Sequence, residues 1–126
     1  MAEYKPGVCN IGKNEIRKRY AFGAAGLALF AVLVYLLLSL SMPKIYLLSA
    51  FVPLVLAFEG IYQGYFGFCV GYASRGIYDL EGSGGGYGKV ADTGSHKADM
   101  ARANTITMYA VASALVVAIA VYVLLR

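Results

Sequence analysis

The sequence predicts an all-α integral membrane fold with three transmembrane helices, and three observations carry that prediction. The 126-residue chain is 60% apolar and only 14% charged, far from the composition of a soluble domain. Three apolar stretches, 20–42, 45–66 and 106–125, each hold the roughly 20 residues that cross a hydrocarbon core of about 30 Å. The basic residues are also lopsided. Lys5, Lys13, Arg17, Lys18 and Arg19 precede the first stretch, and Arg75, Lys89, Lys97 and Arg102 lie between the second and third. Only Lys44 and Arg126 fall on the other side. Nine basic residues against two put the N-terminus and the long loop in the cytoplasm and the C-terminus outside, in a multi-pass protein of the cell membrane.

The elements follow in order as one membrane domain, residues 1–126. Residues 1–19 form a cytoplasmic segment made irregular by Pro6, Gly7 and Gly12, with Asn14 as the predicted N-cap of the first helix and Glu15 suiting its positive end. The apolar run of 20–42 is longer than the h-region of a signal peptide, so it reads as an uncleaved span despite the small residues Ser39 and Ser41. Ser41-Met42-Pro43-Lys44 is short enough to make the first two spans an antiparallel hairpin. The second span, 45–66, has no basic residue before Arg75, so its helix is predicted to continue to residue 78, with Pro53 as a kink site. Residues 79–104 form a Gly-rich cytoplasmic loop and a juxtamembrane helix capped by Ser95, with Asp99 and Arg102 as a surface pair. The third span is 106–125.

The second span carries the candidate residues. Gly60, Gly64, Gly67 and Gly71 repeat at helical spacing and form a packing stripe, which the small face Ala110, Ala114 and Ala118 of the third span can match, with Gly23 and Gly26 thinning the first. Glu59 lies about 10 Å below the cytoplasmic boundary, where an ionisable residue marks a functional site by default. Depth counting groups Glu59 with Gln63, Tyr109 and Ser113 as a polar cluster in the bundle interior. Cys9 and Cys69 both fall on the cytoplasmic side, where a permanent disulfide is not expected. With His96 and Asp92 or Asp99 they are the only metal-ligand candidates, and their spacing matches no zinc motif. Palmitoylation of a juxtamembrane cysteine is a further reading.

Other chemistries find no support in the residues. The Gly82–Lys89 stretch lacks the first Gly and the final Ser or Thr of a phosphate-binding loop, so no nucleotide cofactor is expected. The net charge of +4 is explained by attraction to lipid headgroups rather than by nucleic acid. No nucleophile–base pair can be placed together, which argues against an enzyme.

The stretch Gly7-Val8-Cys9-Asn10-Ile11-Gly12, followed by Glu15-Ile16 and a basic run to Arg19, resembles the opening of a family of small uncharacterised prokaryotic membrane proteins. Phe68-Cys69-Val70 with Gly76-Ile77-Tyr78 resembles that family's end of the second span. Val90-Ala91-Asp92, Ala98-Asp99 and Arg102-Ala103 resemble its approach to the last span. The resemblance brings no activity or cofactor with it, but it implies that Cys9 and Cys69 belong to one cytoplasmic-face feature. The expected role is non-catalytic: a subunit or accessory component of a membrane complex, or a homo-oligomer, with membrane lipids and other subunits as partners. Proton or cation transport through Glu59 is the second expectation, and a cysteine-based metal or redox protein the third.

Overall fold

The structure is a computed structural model that describes residues 4–80 and 86–125. It is mostly helical. Helix α1 spans Lys13–Ser39, and a 3-10 segment, Lys44–Ala50, leads into α2, Phe51–Phe66. A short helix α3, Val70–Arg75, is followed by strands β1, Ile77–Asp79, and β2, Tyr87–Lys89, and by the long helix α4, Thr93–Leu124. Three segments are long and apolar enough to cross a membrane: α1, the 3-10 segment continued into α2, and α4.

The first helix starts earlier than Asn14 predicts. Gly12, which has no side chain to cap with, holds the cap position; its N–H is bound to the Asp79 carbonyl at 2.8 Å and its carbonyl accepts from Ile16 N–H. At the other end the chain reverses through a Schellman motif: Met42 N–H donates to Leu37 and Ser41 N–H to Leu38, with Ser41 in the left-handed region at φ 53°. Pro43 follows at once, cannot continue α1, and stands as the N-cap of the 3-10 segment, its carbonyl accepting from Tyr46 N–H at 3.0 Å. Pro53 falls in the first turn of α2, where a missing N–H is tolerated, so it marks the change from 3-10 to α geometry instead of the predicted kink.

The first two spans form the predicted antiparallel hairpin. Tyr20 meets Gly64, Gly23 meets Gly60 and Gly26 meets Ala57, so position rises along one helix as it falls along the other. Backbones touch here. A Cβ on Gly60 would lie 2.5 Å from the Gly23 nitrogen and 2.6 Å from the Arg19 carbonyl oxygen. The predicted stripe is therefore half realised and differently aimed: Gly60 faces Gly23 and Gly64 faces the Tyr20 ring, both on α1, not the alanines of α4. Ala114 and Ala118 instead pack with Ala50 and Leu54, with Phe30, Phe51 and Phe58 around them, and Ala110 is fully buried.

The predicted helix from 45 to 78 does not form. Gly67 takes the left-handed conformation, at φ 64°, and a second Schellman pair (Phe68 N–H to Gln63, Gly67 N–H to Gly64) closes α2 at Phe66. Phe68 then turns into a second core with Ala73, Ala103 and Ile106, which gives the chain an apolar reason to leave the helix axis. Gly67 and Gly71 consequently lie outside the α2 face.

The predicted loop also has more structure than its composition suggests. Residues 81–85 of the Gly-rich stretch lie outside the described residues. On either side of them β1 and β2 pair antiparallel, with Tyr78 opposite Gly88. Asn10–Gly12 joins the free edge of β1 through Asp79 N–H to the Asn10 carbonyl, 2.9 Å, and Gly12 N–H to the Asp79 carbonyl. Helix α4 is one continuous rod of about 48 Å, and its N-cap is Asp92 rather than Ser95. The Asp92 carboxylate accepts from Ser95 N–H at 3.0 Å and from its hydroxyl at 2.9 Å.

Candidate functional site

Residues 4–19, α3, the β-hairpin and the start of α4 build a polar cap over one end of the bundle. Its keystone is Asn10, fully buried. The Asn10 side chain donates to the Cys69 carbonyl at 3.0 Å and accepts from Cys69 N–H at 2.6 Å, while its own N–H reaches the Gly67 carbonyl at 3.4 Å. Its amide thereby satisfies both backbone groups of the residue at which the chain leaves α2 and enters α3. Ile11, beside it, is buried as an apolar anchor.

A charged network runs beneath this latch. Glu15 is 6% exposed and holds Lys18 at 3.1 Å and Arg19 at 3.3 Å. Arg19 also donates to the Cys69 sulfur at 2.9 Å, and the same sulfur accepts from Tyr72 N–H at 3.4 Å. Arg19 thus ties the first turns of α1 to the start of α3 by charge-assisted contacts. Both cysteines are free thiols. Cys9 donates to the Ile11 carbonyl at 3.5 Å, so each thiol has its own partners, and Asn10 is what joins the two segments.

Asp99 is not the surface partner of Arg102. It is fully buried and accepts from the Tyr4 hydroxyl at 2.6 Å and from Gly7 N–H at 2.8 Å, pinning the N-terminal segment to α4. Burial, and after it the Asp99 carboxylate, push the Tyr4 phenol well above its ordinary range, and its ring stacks on Tyr78 at 4.8 Å. Arg102 lies over the Phe66 ring at 4.5 Å instead.

The predicted cluster of Glu59, Gln63, Tyr109 and Ser113 splits into two. Gln63 donates to Glu59 at 2.8 Å, and its carbonyl accepts from Val70 N–H at 3.2 Å. Ser113 bonds the Tyr62 hydroxyl at 2.6 Å, and Tyr109, 49% exposed, sets its ring edge-on to Tyr62 at 6.2 Å. Glu59 and Gln63 share a helical stripe with Val52 and Leu56, which are 62% and 39% exposed. The carboxyl therefore lies on the outer stripe of α2, away from Ala57, Gly60 and Gly64, which meet α1, and from Leu54, Phe58 and Tyr62, which meet α4. Among the described residues no group of three or more His, Cys, Asp or Glu side chains could hold a metal ion, so Cys9, Cys69 and His96 do not converge as ligands.

No family model matches this chain, and neither a curated protein nor a solved structure matches it. The reading below rests on the residues alone. Sequence reasoning gave Asn10 no role beyond the motif it stands in, read Asp99 as a surface partner or metal-ligand candidate, and passed over Arg75 as a functional position. A buried Asn in a conspicuous Cys-Asn-Ile-Gly stretch was a usable signal for the first, whereas nothing local distinguishes Asp99 from a surface carboxylate.

Proposed function

We propose that this is a small non-catalytic three-span membrane protein acting as a subunit or accessory component of a membrane complex, or as a homo-oligomer. Its capped end is cytoplasmic and its C-terminus outside, an orientation supported by the nine-to-two distribution of basic residues. Kinship with the small prokaryotic membrane proteins that the Cys-Asn-Ile-Gly stretch resembles belongs to the same proposal.

The observation that carries the reading is the outward Glu59–Gln63 pair. Ionisable groups within a span normally face a bundle interior or pair with one another, since hydrocarbon cannot solvate them. Here the carboxyl and Gln63 are only partly buried, on a stripe whose other members Val52 and Leu56 are exposed, and Gln63 supplies one hydrogen bond to it. A helix from a partner or a second copy provides the remaining cover. Gentle detergent extraction followed by copurification tests this. A stoichiometric partner or a defined oligomer is expected, and Glu59→Leu should release it while Glu59→Gln keeps it. A lone monomer with no partner argues against the reading.

Transport is the second reading, favoured by the same carboxyl. It predicts proteoliposome flux of protons or cations that disappears in Glu59→Gln, a variant that preserves hydrogen bonding but carries no charge.

A further inference from the structure

A cavity of about 230 Å³ opens beside the cap, where α1, α2 and α3 meet. It is lined by Arg19 and Phe22 of α1, Gln63 of α2, and Cys69, Gly71 and Arg75 around α3. Two guanidiniums enter this lining and no carboxylate does. Both lie near one ring, with their central carbons 5.7 and 5.4 Å from the Tyr72 centroid. Arg19 is held in place by Glu15 and the Cys69 sulfur. Arg75 is exposed, donates its Nε–H to the Gly71 carbonyl at 3.3 Å and lines the cavity, with its terminal nitrogens free of that bond. Glu15 is shared by Lys18 and Arg19, so the four groups carry a formal excess of positive charge.

The walls are as informative as the charges. Phe22 lies three residues farther into the span than Arg19 and is half exposed, giving the cavity an apolar side toward the bundle. Gly71 lies at the mouth: a Cβ there would stand in ordinary contact, 3.7 Å from a terminal Arg75 nitrogen and 3.8 Å from the Cys69 sulfur, so a larger side chain would extend among the groups that line it. Paired guanidiniums recognise phosphate oxygens in a planar, bidentate manner, and an adjoining apolar wall suits a headgroup whose chains run into the bilayer.

We propose that this cavity binds a phosphate oxyanion at the membrane boundary, carried by a phospholipid headgroup or as the free anion. The test uses the full chain in an uncharged detergent. Phosphatidylglycerol and phosphatidylcholine are titrated by native mass spectrometry, and inorganic phosphate by calorimetry. Arg75→Gln should weaken binding about fivefold, the effect of one basic residue near a membrane surface. Gly71→Leu, which fills the cavity without altering charge, should weaken it as well. Lys89→Gln, at an exposed position outside the cavity, should leave it unchanged. Binding of phosphatidylglycerol alone with this pattern assigns a headgroup site, and binding of inorganic phosphate with the same pattern assigns a free-anion site. If both ligands ignore Arg75→Gln and Gly71→Leu, or if Lys89→Gln matters equally, the attraction is diffuse and the inference is overturned.

Discussion

At the residue scale the cap depends on a few buried polar atoms whose loss cannot be repaired by water. Asn10 satisfies the N–H and the carbonyl of Cys69 together. Asn10→Ala leaves the Cys69 N–H buried and unpaired, at a cost of about 1–3 kcal/mol, while the Cys69 carbonyl keeps the Ala73 N–H at 3.1 Å. In a Cys9→Ser background, a thiol-reactive dye should therefore label Cys69 faster and at lower temperature than in the parent. An unchanged labelling curve would remove Asn10 from its role as keystone. Tyr4 offers a pH-dependent counterpart. Its folded-state pKa is raised by burial and by Asp99, so the folded chain holds the phenolic proton more tightly than the unfolded one. The docking contribution is complete below the ordinary tyrosine value of about 10 and is lost as pH climbs above it. Amide exchange at Gly7 should accelerate beyond the intrinsic base dependence as pH passes about 10, and Tyr4→Phe should abolish that excess.

At the element scale, the contact between α1 and α2 is set by backbone approach, and the two glycines of α2 should answer differently to a methyl group. A Cβ on Gly60 meets the backbone atoms of Gly23 and Arg19, which can yield only if the helices separate. A Cβ on Gly64 meets the Tyr20 ring at 2.9 Å, and a ring at the end of a side chain can swing aside. Gly60→Ala should cost about 1–3 kcal/mol of the kind seen for overpacked cores, and Gly64→Ala distinctly less. Thermal denaturation of the two variants in one detergent checks the order, and equal losses would mean that Tyr20 is as immobile as the backbone. The same elements show what could be read in advance. Composition and length announced three helices long and apolar enough to cross a membrane, and a four-residue link announced the hairpin, because hydrocarbon thickness and short loops leave few alternatives. The end of α2 was less legible. Gly67 had the same spacing as its neighbours in the stripe, and periodicity cannot tell a packing glycine from one that takes a left-handed turn. The split of the polar cluster was missed for a related reason. Depth along a helix placed Glu59 near Ser113, but the angle about the helix axis gave Tyr62 the bond to Ser113 and turned Glu59 to the outer stripe.

At the scale of the whole molecule the two ends of the bundle differ in chemistry, and that difference determines how it should insert. One end holds the Glu15–Arg19 network, Asp99 and the hairpin. The other holds a tight turn in which Lys44 lies over the Tyr122 ring at 4.7 Å, fastening the α1–α2 connection to the last turns of α4. Translocating the first end would carry most of the chain's basic residues across the membrane, whereas the second carries Lys44 and Arg126 alone. The proposed orientation therefore predicts an asymmetric labelling pattern. In a Cys9→Ser background, a cysteine at exposed Ile45 should react with a membrane-impermeant maleimide on intact cells, and one at exposed Lys89 should react only after permeabilisation. The reverse pattern would put the cap outside. It would also expose Cys9 and Cys69 to an oxidising compartment, where two free thiols are hard to maintain. Topology and thiol state thus constrain each other: the orientation that obeys the charge asymmetry is also the one in which the cap's sulfur atoms remain hydrogen-bonding partners of Arg19, Tyr72 and Ile11.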